Sequence, residues 1–239
     1  MVTYSILRDN SLAILGSNVD LRAEWRRDER DMVIGDPFRS AASALGRIWT
    51  FDGSAISLEA DFPLLTPFPA FDRFPDGRWL VVSQRARDEA NGRILTAQGS
   101  ELQRIRLGDG IEHLKIDDHA HIWVGWFDEG VFGNDGWKVP GHEWPPSSYG
   151  LAAFDQTGTI LAHVEDALAG TAIADCCALN VISDTAWACT YTDFPIVACA
   201  LHAGSRWCPT ELSGSRALAV RAPYILAAGG YANDGNRVA

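Results

Sequence analysis

A polar turn followed at once by a short apolar strand recurs along the chain, and a repeated unit restricts the fold more than any single motif does. It reads Asp9-Asn10-Ser11-Leu12-Ala13-Ile14-Leu15-Gly16 and Pro75-Asp76-Gly77-Arg78-Trp79-Leu80-Val81-Val82. It returns as Asp117-Asp118-His119-Ala120-His121-Ile122-Trp123-Val124-Gly125 and as Ser183-Asp184-Thr185-Ala186-Trp187-Ala188-Cys189. A weaker fifth copy is Arg221-Ala222-Pro223-Tyr224-Ile225-Leu226-Ala227-Ala228-Gly229.

A hairpin follows each of the first four copies. It is clearest in Arg47 to Leu58 and Gly150 to Leu161, and looser from Gly92 to Ile105 and from Pro195 to Leu212. Asp52-Gly53 and Thr157-Gly158 supply the positive φ that tight hairpin tips require. Turn, strand and hairpin together make four antiparallel strands, a β-propeller blade, repeated every ~40 to 60 residues. The expected fold is all-β: a single domain spanning 1–239, a five-bladed propeller of four-stranded blades whose last blade is incomplete in this chain. Asn236-Arg237-Val238-Ala239 reads as the start of that blade's third strand, unless Met1 to Leu7 closes the ring. A generic β-sandwich is the competing architecture.

Composition narrows the function classes. With 47% hydrophobic and 21% charged residues, the 239-residue chain reads as globular. A net charge of -11 and the lack of a Lys/Arg stripe argue against nucleic acid. Arg22, Arg26, Arg27 and Arg30 are interleaved with Glu24, Asp28 and Glu29, which suggests a solvated loop or short helix. No apolar stretch has bilayer length and Met1 to Gly16 lacks a signal core, so no membrane association and a cytoplasmic location are expected. Five cysteines without a zinc spacing fit a reducing compartment, as small apolar residues.

In a blade, the connections from second to third strand and from fourth strand to the next blade share one face. The long segments Ser17 to Gly46, Gln84 to Asn91 and Trp126 to Tyr149 are all second-to-third connections, so that face is the expected functional one. Glu112 and His113 lie in the connection entering the third blade, and Asp175, Cys176, Cys177 and Asn180 in that entering the fourth. Glu129 and Asp193 follow equivalent strands of neighbouring blades, which makes them the candidate ligands of a divalent cation. His113 and Glu112 are the candidate acid and base. The candidate ligand-binding residues are Trp126, Asp128, Glu129, Asp175, Asn180, Tyr191, Asp193 and Tyr231.

Each of these groups also has a plain structural reading as a loop brace. Asp118-His119-Ala120-His121 has the look of a metal motif but falls at a turn on the opposite face. Cys176 is a candidate nucleophile if a base activates it, and otherwise a packed thiol. The loop Asn134 to Pro146, with Trp137, His142, Glu143 and Trp144, suits either an aromatic lid or a rigid connector.

Read together, Gly108-Asp109-Gly110-Ile111-Glu112-His113, Phe127-Asp128-Glu129-Gly130-Val131-Phe132-Gly133-Asn134, Ala178-Leu179-Asn180-Val181 and Asp193-Phe194-Pro195 resemble a bacterial family of propeller-like proteins that carries no assigned activity. The similarity extends over Phe74 to Tyr231. More distantly the architecture is similar to gluconolactonase and NHL-repeat propellers, whose lactonase members hold a divalent metal. That ligand set does not map onto this sequence residue by residue, so the likeness concerns fold only. Three functions follow: binding of a small molecule or peptide, metal-assisted hydrolase, lactonase or lyase chemistry, and a scaffold for protein partners.

Overall fold

The computed structural model describes every residue except 1, 24, 35, 88–89, 134–136, 138–143, 165–172, 232–234 and 236. The chain divides into two compact units, Met1–Arg106 and Leu107–Ala239.

The first unit holds two four-stranded antiparallel sheets. One is formed by β1 (Thr3–Ile6), β2 (Leu12–Ser17), β5 (Leu45–Phe51) and β6 (Ile56–Pro63), in that order. Between β2 and β5 lies a two-residue ribbon of β3 (Arg26–Arg27) and β4 (Val33–Ile34), so the Arg22 to Arg30 segment is neither a plain loop nor a helix. Here the backbone finds partners in a short hairpin, which Asp28 nucleates by accepting from Arg30 and Met32 N–H. The second sheet orders β7 (Pro69–Arg73), β8 (Trp79–Ser83), β9 (Gly92–Leu95) and β10 (Glu101–Ile105).

The second unit repeats the plan with β11 (Ile111–Ile116), β12 (Ile122–Trp126), β13 (Leu151–Phe154) and β14 (Ile160–His163). The helical turn α1 (Asp128–Val131) and a 3-10 turn at Pro146–Tyr149 separate β12 from β13. A further sheet consists of β15 (Asp175–Ile182), β16 (Thr185–Tyr191), β17 (Ile196–Ala200) and β18 (Gly204–Cys208). The pair β19 (Ala217–Arg221) and β20 (Tyr224–Ala228) begins another. Val238 forms an isolated antiparallel bridge to Ala228, and Ala227 and Ala239 exchange backbone bonds of 2.8 and 2.9 Å beside β20.

Strand composition explains the layering. The middle strands β8 (Trp-Leu-Val-Val-Ser), β12 (Ile-Trp-Val-Gly-Trp) and β13 (Leu-Ala-Ala-Phe) are buried almost throughout, as continuous apolar runs must be when sheets cover both faces. The outer β10 (Glu-Leu-Gln-Arg-Ile) is exposed except at Ile105. First strands of consecutive sheets adjoin within each unit: β1 beside β7, β11 beside β15, and β15 beside β19. Leu15, Ile48, Phe62, Phe71 and Trp79 fill the space between the first two sheets, and Trp123, Leu151, Ala188 and Val197 fill that between the next two.

The repeated aspartate has a concrete job. Asp9, Asp52, Asp76, Asp117 and Asp155 each accept backbone N–H bonds from residues two to four places on, closing the turn. Those bonds, led by the one from Ala55, hold the Asp52 carboxyl down at about 2. Gly53 and Gly158 have φ of 100° and 87°, as the hairpin tips require. Among the described residues, no helix is long and apolar enough to cross a membrane.

Candidate functional site

Two register shifts shape the second unit's cavity. In β11, Ile111 faces Trp126 and His113 faces Gly125, leaving Glu112 as the extra residue. In β15, Cys176 faces Thr190 and Ala178 faces Cys189, leaving Cys177 as the extra residue. Such bulges re-aim side chains and are frequent beside functional sites. Here they fall at the same place in neighbouring sheets, and both Glu112 and Cys177 line a cavity of about 470 Å³. The other lining residues are His113, Phe127, Asp128, Asp175, Gly214, Arg216 and Tyr231.

Glu112, His113 and Asp175 therefore belong to strands, where the sequence pointed to connections. Alternation breaks at each bulge, so the strand start is hidden from a period-two reading. Asp128 opens α1, and its carboxylate accepts from the Glu129 N–H at 2.7 Å. The Phe127 N–H donates to Gly110 O at 2.9 Å, which fastens this turn beside β11.

The cavity is electrostatically unbalanced. Burial, and then the nearby Asp175, raises Glu112 above the ordinary carboxylate range. Burial, and then Asp128, does the same to Asp175. Burial keeps His113 low, hence neutral near pH 7. Its Nε2 is buried and has no hydrogen-bond partner among the described residues. Arg216 is the one cation among the described lining residues, and its guanidinium lies 6.0 Å from the Tyr231 ring.

The raised carboxylates give a pH prediction. Their folded-state values lie above the unfolded ones, so their favourable contribution is complete below about pH 4 and lost as pH rises through the folded value. Glu112→Gln should thus raise Tm at pH 7 by about 1–2 °C and leave it unchanged at pH 3.5, in paired thermal scans. A gain of equal size at both pH values would show that charge is not the cause.

The remaining sequence candidates lie elsewhere. Trp126 is fully buried, donates from Nε1 to Leu107 O at 3.1 Å and packs edge-on to Phe154, which makes it a core pillar. Asn180 Nδ2 donates to Leu218 O at 2.8 Å and braces β15 against β19. Glu129 is exposed on α1, and Asp193 is exposed in the β16–β17 connection with φ of 62°. Tyr191 is half exposed, with its ring 5.5 Å from Phe194, which in turn lies 5.6 Å from Tyr231. Among the described residues, no group of three or more His, Cys, Asp or Glu is arranged to hold a metal ion. Of the loop from Asn134 to Pro146, His142 and Glu143 lie outside the described residues, while Trp144 is exposed.

Cys176 is a packed thiol: burial pushes it far up, and its Sγ faces Ala178 O at 3.6 Å. A thiol contact between Cys177 and Cys189 pushes Cys177 up and holds Cys189 at about 7. Cys208 is exposed. Brief iodoacetamide treatment of native protein should label Cys208 first and leave Cys176 unmodified, as read by peptide mass mapping. Early label on Cys176 would mean that β15 opens readily.

Sequence reasoning missed Phe127, Cys177, Gly214 and Arg216 as lining residues. The repeat held one usable signal, since Glu112 and Cys177 each sit just inside the first strand of a blade.

No protein-family model matches the chain, and no curated protein does. Solved structures are similar. A streptogramin B lyase shares 14% identity with a TM-score of 0.51, covering 99% of this chain and 80% of the other. Virginiamycin B lyase from Staphylococcus aureus shares 10% at 0.50, covering 98% and 78%. A protein of unknown function from Bacteroides caccae shares 12% at 0.50, covering 85% of this chain, which spans 64% of that protein's length. At these identities the likeness concerns architecture alone, and with the sheet order above it makes the chain a β-propeller of four-stranded antiparallel blades.

Proposed function

We propose that the protein binds a small positively charged ligand, an amine or guanidinium on a small molecule or peptide, in the cavity of the second unit. The observation that carries this reading is the crowding of Glu112, Asp175 and Asp128 around one cavity against a single arginine. A bound cation offsets the burial, and then the mutual repulsion, that raise both carboxyls, and a ligand acceptor would satisfy a protonated His113 Nε2 or a ligand donor a bare one. Tyr231 and Phe127 supply the apolar walls that orient a small ligand.

Thermal unfolding with butylamine, 1,4-diaminobutane and an arginine methyl ester tests the proposal, since a ligand specific for the native state raises Tm. The expected result is stabilisation at pH 7.5 that weakens at pH 5, as the raised carboxyls take up protons, and that is lost in Asp175→Asn. Equal stabilisation by butyrate, or an unaltered response in Asp175→Asn, would sink it.

The pairing of neutral His113 with Glu112 favours a second reading, proton-transfer chemistry of the lyase kind. The names of two similar structures agree with it. It requires turnover of a substrate by elimination that His113→Gln abolishes while fold and cation binding persist.

A further inference from the structure

The first unit has a cavity of the opposite character. Fourteen of the chain's 20 cationic residues fall within Met1–Arg106, all of them arginine, against 15 Asp and Glu. The second unit has 6 cations against 16 acids. A chain whose charge is -11 thus keeps its arginines together, and arginine's planar fork suits carboxylate and phosphate oxygens better than lysine's point charge does.

Within that unit a cavity of about 570 Å³ is lined by Arg39, Arg93 and Arg104, with Asp36 the only acid among the described lining residues. Arg93 is nearly buried and fixed, with Nε at 2.7 Å from Glu101 and a terminal nitrogen at 2.7 Å from Pro63 O. Glu101 also pairs with Arg104, so this one carboxylate is shared between two guanidinium groups. Arg39 meets Asp36 at 3.3 Å with both side chains largely exposed, a pair that a ligand can exchange at little cost.

An independent observation concerns Trp25. It lines the same cavity, and its indole Nε1, a donor with no acceptor role, is buried without a hydrogen-bond partner among the described residues. A buried unpaired donor is destabilising unless something accepts from it. Arginines also stack on the aromatic walls: Arg22 lies 5.0 Å from the Trp25 ring, and Arg85 and Arg87 lie 5.4 and 5.0 Å from Phe38. Apolar surface from Ile34, Phe38, Leu64 and Val81 completes the lining.

We infer that this cavity is a second binding site, for a small amphipathic anion whose carboxylate or phosphate head meets Trp25 Nε1 and the arginines while its apolar body lies on Phe38 and Leu64. The site is separate from the one proposed for cations, and either can fail without the other.

The experiment is isothermal titration of the full chain with hexanoate, phenyl phosphate, inorganic phosphate and benzyltrimethylammonium, accompanied by tryptophan fluorescence. Hexanoate and phenyl phosphate separate the two head groups. At least one should bind with Kd on the order of 1 mM or tighter and perturb fluorescence. Inorganic phosphate, lacking the apolar body, should bind at least about tenfold more weakly. Trp25→Phe keeps the ring and removes the donor, and Arg39→Gln removes an exposed charge that the fold does not need. Each should weaken binding about 5- to 10-fold with circular dichroism unchanged, whereas Arg221→Gln in the other unit should not. No binding by either organic anion at 10 mM, or equal affinity in wild type, Trp25→Phe and Arg39→Gln, overturns the inference. Inorganic phosphate binding as tightly as phenyl phosphate does so too.

Discussion

Asp117→Ala is expected to cost about 3–4 kcal/mol of folding stability, a large loss for a polar side chain. The carboxylate of Asp117 is completely buried. It accepts from His119 N–H at 2.8 Å and His121 N–H at 2.9 Å, lies 2.8 Å from His121 Nδ1, and accepts from the buried Trp123 Nε1 at 3.2 Å. Truncation strands several donors at once, in a turn where water reaches few of them. Urea unfolding followed by circular dichroism measures the loss through the midpoint, with the m-value as a check on two-state behaviour. Asp117→Asn, which keeps one acceptor oxygen, should lose about half as much. A loss below about 1 kcal/mol in the alanine variant would mean that the turn is held by its backbone alone.

The same geometry disposes of the histidine-rich segment as a metal motif. His119 and His121 have ring centroids 6.0 Å apart, tilted, and the Asp117 carboxylate that a metal would need is committed to the turn.

The second large effect is expected at Gly110. Its φ is 78°, and a Cβ built there would lie 2.5 Å from Gly130 Cα and 2.6 Å from Gly130 N. The contact is backbone to backbone, so no side chain can swing aside, and Gly130 meets Asp109 O just as closely. Gly110→Ala should therefore cost about 3 kcal/mol and displace α1 with Asp128, weakening cation binding together with stability. Gly133 separates the two causes. It has a similar φ of 82°, but a Cβ there meets nothing within 4 Å among the described residues, so Gly133→Ala should cost only about 1 kcal/mol. Equal losses at both glycines would attribute the effect to φ alone and remove the steric argument.

The strand order was legible because its signals are local. The aspartate turns at Asp9, Asp76 and Asp117 each precede a second strand, and the Gly-tipped hairpins join a third strand to a fourth, as Asp52-Gly53 does between β5 and β6. Even the bridge that Val238 makes beside β20 could be read from a few residues. The cavity of the second unit was only half legible. Glu112, His113, Asp128, Asp175 and Tyr231 come together in it, but Trp126 and Asn180 proved to be braces, since a polar atom near a mouth and one bonded across blades look alike in sequence. Cys177 and Arg216 were missed because bulges and cross-sheet proximity depend on register, which composition does not encode. The arginine cavity was missed for a different reason: the total charge averaged over two units that differ sharply.

The two bulges carry an implication for how such a site can change. Because Glu112 and Cys177 stand outside the cross-strand pairing of β11 with β12 and of β15 with β16, neither has a ladder partner directly opposite it, although Cys177 still touches Cys189 of β16. One interchangeable position per blade then writes the lining of the cavity, much as type is set in a fixed frame. Specificity can drift at those two positions while the architecture that holds them is inherited unchanged.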